Sequence, residues 1–307
     1  MKPKSLLDLL KTLHDKTACR VYLEGLRWQG IPKCPNCNCQ CEKHYKLKNN
    51  GTFHGLYKCK ECKKRFTVTV GTMFEGSNVS LDKWFLAIYL FLSHKKGISS
   101  IQLSKDIGVT QKTAWFMLTK IRHNMNDIDA IVANKLDGVV QVDETYVGGK
   151  SKGRIWQNQG RSLKQKLPVV GLLNDEKAYA VVTPDTGGRT LKTIIYALVK
   201  SGTTVVTDGL PSYRGLSPEY NHQVVEHNKG SYKNKAGYHT NGIEGFWSQL
   251  KRGLKSTYHF ASHKYLQFYC YEFSYRYNTR HMSDMERFTE FITSRHRKLK
   301  CHHLACT

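Results

Sequence analysis

The sequence predicts a multidomain α/β protein: a small cysteine-bearing module, a helical module, and a larger domain built on a mixed sheet. Three observations carry this. Two Cys-x2-Cys pairs stand at Cys34/Cys37 and Cys59/Cys62. Residues 80–126 show helical apolar spacing, and from Leu136 onward short apolar runs alternate with helical stripes. The predicted divisions are 1–72, 73–130, 131–295 and a basic tail, 296–307.

The 307 residues suffice for two or three domains at about 100–200 residues each. Hydrophobic residues make up 40%, which excludes disorder by composition. Lys and Arg number 48 against 24 Asp and Glu, a formal charge of +24. An excess of that size repels itself in a compact fold and favours a polyanionic partner, most commonly nucleic acid.

Residues 1–28 are charged throughout and read as an amphipathic helix, with Leu6, Leu9, Leu10 and Leu13 on one face and no secretory signal. The longest apolar run, Trp84 to Ser93, is far short of the roughly 20 residues that span a bilayer. The expectation is a cytoplasmic protein with no membrane partner. Its ten cysteines are then metal ligands or free thiols rather than disulfides.

In each Cys-x2-Cys pair, a tight knuckle turns both thiolates toward one cation. Two knuckles, 21 residues apart, complete a closed tetrahedral site of Cys34, Cys37, Cys59 and Cys62 for structural Zn2+. Cys39 and Cys41 follow closely and are possible replacements for one ligand. Between the knuckles Cys41–Lys48 and Gly55–Lys58 read as strands around an Asn49-Asn50-Gly51 turn, and Arg65–Val70 alternates like a third. Lys58, Lys60, Lys63, Lys64 and Arg65 suit phosphate contact or a solvated rim equally.

In the helical module Ser80 is placed to cap a helix beginning at Leu81. A second follows, with Ile101, Leu103 and Ile107 as its apolar side and Gly108 as its stop. Thr110 opens a third that ends near Met125. Helix, glycine turn, helix is the helix-turn-helix pattern, in which the second helix presents its first polar residues to the major groove. Gln111, Lys112 and Thr113 hold that position; a plain helical bundle is the alternative.

The third region reads as strands over Val139–Thr145, Leu167–Leu173 and Tyr179–Thr183, then a helix over Thr190–Val199. A strand over Thr203–Thr207 ends at Asp208-Gly209, a short strand covers Gln223–Glu226, and a helix starts near Thr240. This order is compatible with a ribonuclease H-like domain. Adjacent strands would bring Asp143 and Asp208 together. Alternation puts Glu144 on the opposite sheet face, outside the site. Hard divalent cations take carboxylate oxygens, and two of them about 3.5–4 Å apart clamp the oxygens of a phosphoryl transfer. An aromatic helix over Tyr265–Arg276 reads as core. Trp247 reads as core too, and His239 as a packing or capping residue. Cys301, His302, His303 and Cys306 are assigned no metal.

Several stretches together resemble a known family. They are Ala18–Glu24 leading into the knuckles, Val142-Asp143-Glu144-Thr145-Tyr146-Val147-Gly148-Gly149, Thr207-Asp208-Gly209, and His239-Thr240-Asn241-Gly242-Ile243-Glu244-Gly245-Phe246-Trp247 continuing to Gly253. The chain resembles bacterial insertion-sequence transposases with an N-terminal zinc ribbon and a DDE catalytic domain, relatives of the Merlin elements. The resemblance implies Asp143 and Asp208 as ligands of two Mg2+ ions, with Mn2+ as a substitute. The third ligand is Glu244, with 35 residues between it and Asp208, or Asn241 one turn earlier. Lys251, two turns beyond Glu244, and Arg252 are expected at DNA near the cleaved phosphate.

The expected activity is cutting of element ends to 3′-hydroxyls and their joining to target DNA, with the ribbon and helical module on the inverted repeats. The resemblance further implies a homodimer or larger synaptic assembly and a nucleoid location. A zinc-ribbon helix-turn-helix regulator without catalysis, and a purely hydrolytic metal-dependent nuclease, are the rival readings.

Overall fold

The computed structural model describes residues 5–148, 166–225, 233–294 and Leu299. Gly149, Glu226, the tail from 300 and its Cys301, His302, His303 and Cys306 lie outside the described residues. The chain folds as two compact units. One holds the described residues up to Asn124 with those from Met282 on; the other is Met125–His281.

The first unit opens with α1 (Leu6–Thr12) and α2 (Lys16–Trp28). The single helix expected over 1–28 is thus broken. Asp15 takes extended backbone and accepts from Ala18 N–H at 2.6 Å, so it caps a new helix instead of continuing the old one. Leu9 and Leu13 bury, whereas Leu10 is 45% exposed. Trp28 closes α2 against the ribbon, edge-on to Tyr57 and Phe66 at 5.5 and 5.9 Å.

The ribbon sheet is β1 (Tyr45–Asn49), β2 (Thr52–Lys58) and β3 (Arg65–Phe66), antiparallel in that order. Asn50 and Gly51 form a two-residue hairpin loop, both at positive φ, as the Asn-Gly pair predicts. Only Arg65 and Phe66 of the expected 65–70 strand pair; Thr67 to Gly71 turn back on themselves through Val70 N–H to Thr67 O and Thr72 N–H to Thr69 O.

Three helices follow: α3 (Leu81–Ser93), α4 (Ser100–Ile107) and α5 (Gln111–Asn124). Ser99 caps α4 through Gln102 N–H, and Gly108 ends it in the left-handed region at φ 61°. Leu103 and Ile107 bury as expected, but Ile101 is 59% exposed and belongs to the outer face.

The second unit contains α6 (Ile128–Ala133), β4 (Val139–Val147), β5 (Leu167–Leu173), β6 (Ala178–Val182), α7 (Gly188–Leu198), β7 (Thr204–Asp208), β8 (Asn221–Val225), α8 (Asn241–Gly253) and α9 (Leu266–Asn278). The sheet order is β6-β5-β4-β7-β8. Pairing is antiparallel across β6, β5 and β4 and parallel across β4, β7 and β8. This order and polarity is the ribonuclease H-like arrangement.

Each sheet face carries its own core. Leu191, Ile195 and Leu198 of α7 cover Val140, Val142, Val170, Leu172 and Val205. Ile243, Phe246, Trp247 and Leu250 of α8, with α9, cover Val169, Leu173, Ala178 and Ala180. At about 1.5–3 kcal/mol per buried large side chain, this stripe outweighs any cap in fixing α8. The aromatic helix is core, as expected, and it also closes an edge. Gln267 accepts from Val182 N–H at 2.8 Å and donates to Ala180 O at 3.1 Å, while Asn278 accepts from Ala178 N–H at 2.7 Å. Side-chain amides thus occupy the free edge of β6.

The last helix, α10 (Asp284–Thr293), starts at a capping box of Ser283 and Glu286 and returns to the first unit. Phe288 packs edge-on to Phe85 and Tyr89 of α3. Of the expected divisions, the described residues of 1–72 and those of 73–130 up to Asn124 fall in one unit, and Met125–His281 form the other. Among the described residues no helix is long and apolar enough to cross a membrane.

Candidate active site

Asp143 lies in β4 and Asp208 ends β7. The parallel ladder between them runs Val139↔Thr204, Val140↔Val205, Gln141↔Val206. Asp143 and Asp208 each stand two residues past the last pair, so they occupy matching steps on neighbouring strands. Both are half-buried. Asp208 accepts from Leu210 N–H at 3.0 Å, which ties its carboxylate to the turn it begins.

Glu244 approaches from α8, in its first turn, and is exposed. Thr240 Oγ1 donates to it at 3.3 Å. The helix start is held to the sheet by Gln141, whose Oε1 accepts from Ile243 N–H at 3.0 Å. Asn241 is exposed one turn earlier, and Lys251 and Arg252 are exposed in the last turn.

Asp143 senses the charges of the other two carboxylates. Asp143 is pushed up to about 6, mainly by burial, with the charges of Asp208 and Glu244 adding and the Trp247 N–H opposing. Burial likewise pushes Glu144 to about 7 against the help of Tyr213, with Asp208 and Asp143 adding. Glu144 points to the opposite face, where Tyr213 O–H donates to it at 2.7 Å. Among the described residues no three acidic side chains have oxygens all within 4.8 Å of one another. The carboxylates form an open, mutually repelling set, which suits hard cations: the donors are all oxygen, and a cation relieves the repulsion.

Trp247 is more than the core residue expected. Its Nε1 donates to Asp143 Oδ2 at 2.9 Å. Gly171, paired with Asp143 across β4 and β5, makes the approach possible. A Cβ there would meet the Trp247 ring at 2.5 Å and Ile243 Cδ1 at 2.8 Å. The sequence did carry a signal for these contacts. Gln141 and Asp143 place polar groups on the sheet face that the apolar stripe of α8 covers, so each needs a partner. His239 Nδ1 is buried without a hydrogen-bond partner among the described residues.

In the ribbon, Cys34, Cys37, Cys59 and Cys62 present all four Sγ atoms within 4.8 Å of one another. Cys34 lies 3.7 Å from Cys62 and Cys37 3.6 Å from Cys59. A zinc tetrahedron with bonds of about 2.3 Å has S–S edges of about 3.8 Å, so the quartet fits that ion. Cys39, His44 and Cys59 form a second grouping. Both His44 nitrogens are engaged there, Nδ1 accepting from Lys60 N–H at 3.2 Å and Nε2 facing Cys39 O at 3.3 Å. The ring thus braces the knuckle. Cys41 joins neither group. Lys58, Lys60, Lys63, Lys64 and Arg65 are all exposed around the quartet.

At the start of α5, Gln111 and Lys112 are exposed and Thr113 is half-buried. Gln111 Nε2 donates to Ser100 Oγ at 2.8 Å, and Thr110 Oγ1 accepts from Thr113 N–H at 3.2 Å. The helix start is therefore pinned to α4 through Gln111, and Lys112 is exposed beside it.

Residues 135–278 match the ISXO2-like transposase domain, and residues 14–65 match the transposase zinc-ribbon domain. An uncharacterized protein in transposable element ISH50 of Halobacterium salinarum is 28% identical over 262 residues, 80% of this chain and 85% of that one. An uncharacterized transposase-like protein of Haemophilus influenzae is 32% identical over 103 residues, 33% of this chain and 81% of that one. Among solved structures, a pre-cleavage Mos1 transpososome matches over 70% of this chain and 80% of that chain at 12% identity, with a TM-score of 0.22.

Proposed function

The chain belongs to the ISXO2-like transposase family, with a transposase zinc ribbon at its N-terminus, and from that premise we propose that it cuts and joins DNA at Asp143, Asp208 and Glu244. One observation carries the proposal. Two aspartates stand at matching steps on adjacent parallel strands, and a glutamate on the facing helix is close enough to raise the first of them.

Asp143, Asp208 and Glu244 would hold two Mg2+ ions. Bound there, the ions supply activation of the attacking oxygen and stabilisation of the leaving oxygen. The protein supplies position. Trp247 fixes the Asp143 carboxylate, Leu210 N–H fixes that of Asp208, and exposed Glu244 reaches the set from the solvent side. Asn241 is a neighbour able to lend an amide oxygen, without charge. Lys251 and Arg252 project from the same helix toward DNA phosphates.

In the first step water cuts the element end and leaves a 3′-hydroxyl. In the second that hydroxyl gives up its proton and attacks a target phosphodiester, joining to its phosphorus and displacing the target strand's 3′-oxygen, which leaves as a 3′-hydroxyl. The zinc-filled ribbon and the tips Gln111, Lys112 and Thr113 recognise the inverted repeats, and two chains hold two ends. The charge of +24 supports binding to duplex DNA.

The test uses labelled duplexes ending in the element's inverted repeats. Wild type is expected to cleave in Mg2+ and to join pre-cut ends to a plasmid. Asp143→Ala and Asp208→Ala are expected to bind the same duplex and do neither. Cleavage by either variant would refute the assignment, and cleavage without joining by wild type would leave a nuclease.

A further inference from the structure

Within the same unit as the carboxylates lies a cavity of about 330 Å3, of whose lining only Lys251 has been given a role above. Lys166, Lys251 and Lys255 line it, no acidic side chain does, and none of the three lysines is in an ion pair among the described residues. Phe260 and Tyr146 also line it. Phe260 is 66% exposed, and Tyr146 is anchored by its hydroxyl to Thr186 at 3.2 Å.

Its rim is strained. After α8 the helix widens into a π-helical turn, Leu254–Tyr258, and ends at His259 with φ 59° and ψ −38°. Phe260 N–H then donates to Tyr258 O at 2.6 Å, a γ-turn of the uncommon hand. For a residue with a Cβ this backbone costs about 1–3 kcal/mol, and such strain concentrates at ligand clamps. Here it holds His259 and Phe260 at the cavity mouth.

The cavity is placed by two independent elements. Tyr146 follows Asp143 by three residues in β4, and Lys251 follows Glu244 by seven in α8. Each spacing corresponds to about 10 Å.

We infer that this cavity receives one unpaired nucleotide of the DNA strand running past the carboxylates, its base against Phe260 and its phosphate on the lysines. The inference rests on the proposed DNA cleavage. The volume is at the small-ligand end of binding pockets, which span about 300–1,000 Å3. An exposed ring offers a stacking face to any base, and unpaired lysines match a phosphate, so recognition is of an unstacked nucleotide and not of a sequence.

The experiment measures binding of the full chain, in Ca2+, to two duplexes. They are identical except that one carries a single unpaired 5′ 2-aminopurine nucleotide. Wild type is expected to bind the overhang duplex about five- to tenfold more tightly and to change the 2-aminopurine fluorescence. The double variant Phe260→Ala with Lys255→Gln is expected to lose that preference while blunt-duplex affinity stays within about twofold, and Phe260→Trp to keep it. Equal binding of both duplexes by wild type, or a variant that weakens both equally, overturns the inference. So does a preference abolished by a free deoxynucleoside 5′-monophosphate at its own sub-millimolar affinity, which would mark a site for free nucleotides. Cleavage in Mg2+, run in parallel, separates the two readings. A cleaving wild type without the preference sinks the cavity alone, and a preference with cleavage surviving in Asp143→Ala sinks the carboxylate assignment alone.

Discussion

The indole of Trp247 donates to Asp143 at 2.9 Å through a gap left by Gly171, so this bond, like that of Gln141 with Ile243 N–H, ties the five-stranded sheet to the helix that bears Glu244. The N–H favours the charged carboxylate. Trp247→Phe keeps a ring and removes the donor. The Asp143 pKa is expected to rise above its value of about 6, moving the alkaline-rising limb of the cleavage profile to higher pH. The maximal rate should fall with little change in the KM for DNA. Gly171→Ala should give the same loss by a different route, because its methyl displaces the ring. A pH–rate profile of both variants checks this. An unmoved profile in Trp247→Phe would show the ring to be packing only.

Asp143 also sets a pH dependence of stability. Its folded value of about 6 lies above the ordinary 3.8. An acid whose pKa rises on folding stabilises the fold at low pH, and that contribution is lost as pH climbs from about 4 through 6. Asp143→Asn is neutral at every pH. Without divalent ions the variant should therefore melt higher than wild type at pH 7.5, and the gap should close toward pH 4. Differential scanning calorimetry at the two pH values decides it; a gap that widens on acidification contradicts the sign.

Much of this was legible in the residues. The matched Cys-x2-Cys spacing gives the quartet because knuckle geometry is local, and Asn50-Gly51 gives its hairpin for the same reason. Strand alternation correctly set Glu144 apart from Asp143. What stayed hidden depends on long-range packing. The Gln141–Ile243 and Trp247–Asp143 bonds join residues more than 100 positions apart. Ile101 has the spacing of a core residue, but the neighbouring helices leave its side uncovered. The break at Asp15 was local and readable, since an aspartate three residues before a free N–H is a cap signal.

Glu244 and Asn241 can be separated by what each does to Asp143. Glu244 contributes charge to raising it, whereas Asn241 has none to give. Glu244→Gln should lower the Asp143 pKa, weaken Mg2+ binding at least tenfold and abolish cleavage. Asn241→Ala should leave the pKa in place and retain measurable cleavage in Mn2+. Carboxylate NMR titration with and without Mg2+ provides both readings. Equal loss in the two variants would make the amide a ligand in its own right.

The ribbon predicts one zinc per chain. Cys34→Ser removes a corner of the quartet and should release the metal to a chromogenic chelator, with loss of the melting transition of the first unit. Cys39→Ser should keep the metal, since Cys39 stands beside His44, whose two nitrogens are already committed. Metal lost equally from both variants would mean that Cys39 shares in coordination.

His259 supplies the last prediction, because its backbone conflicts with its own side chain. At φ 59° and ψ −38° a Cβ is crowded against the chain, and glycine has none. His259→Gly removes strain of about 1–3 kcal/mol and adds unfolded-state entropy of at most about 1 kcal/mol, so the net is stabilising. The variant should melt a few degrees higher. It should also bind the overhang duplex less tightly, because a relaxed turn no longer holds Phe260 at the cavity mouth. Opposite movement of the two measurements is the signature of strain kept for binding. A variant that melts lower would show that His259 contacts, and not its backbone, hold the turn.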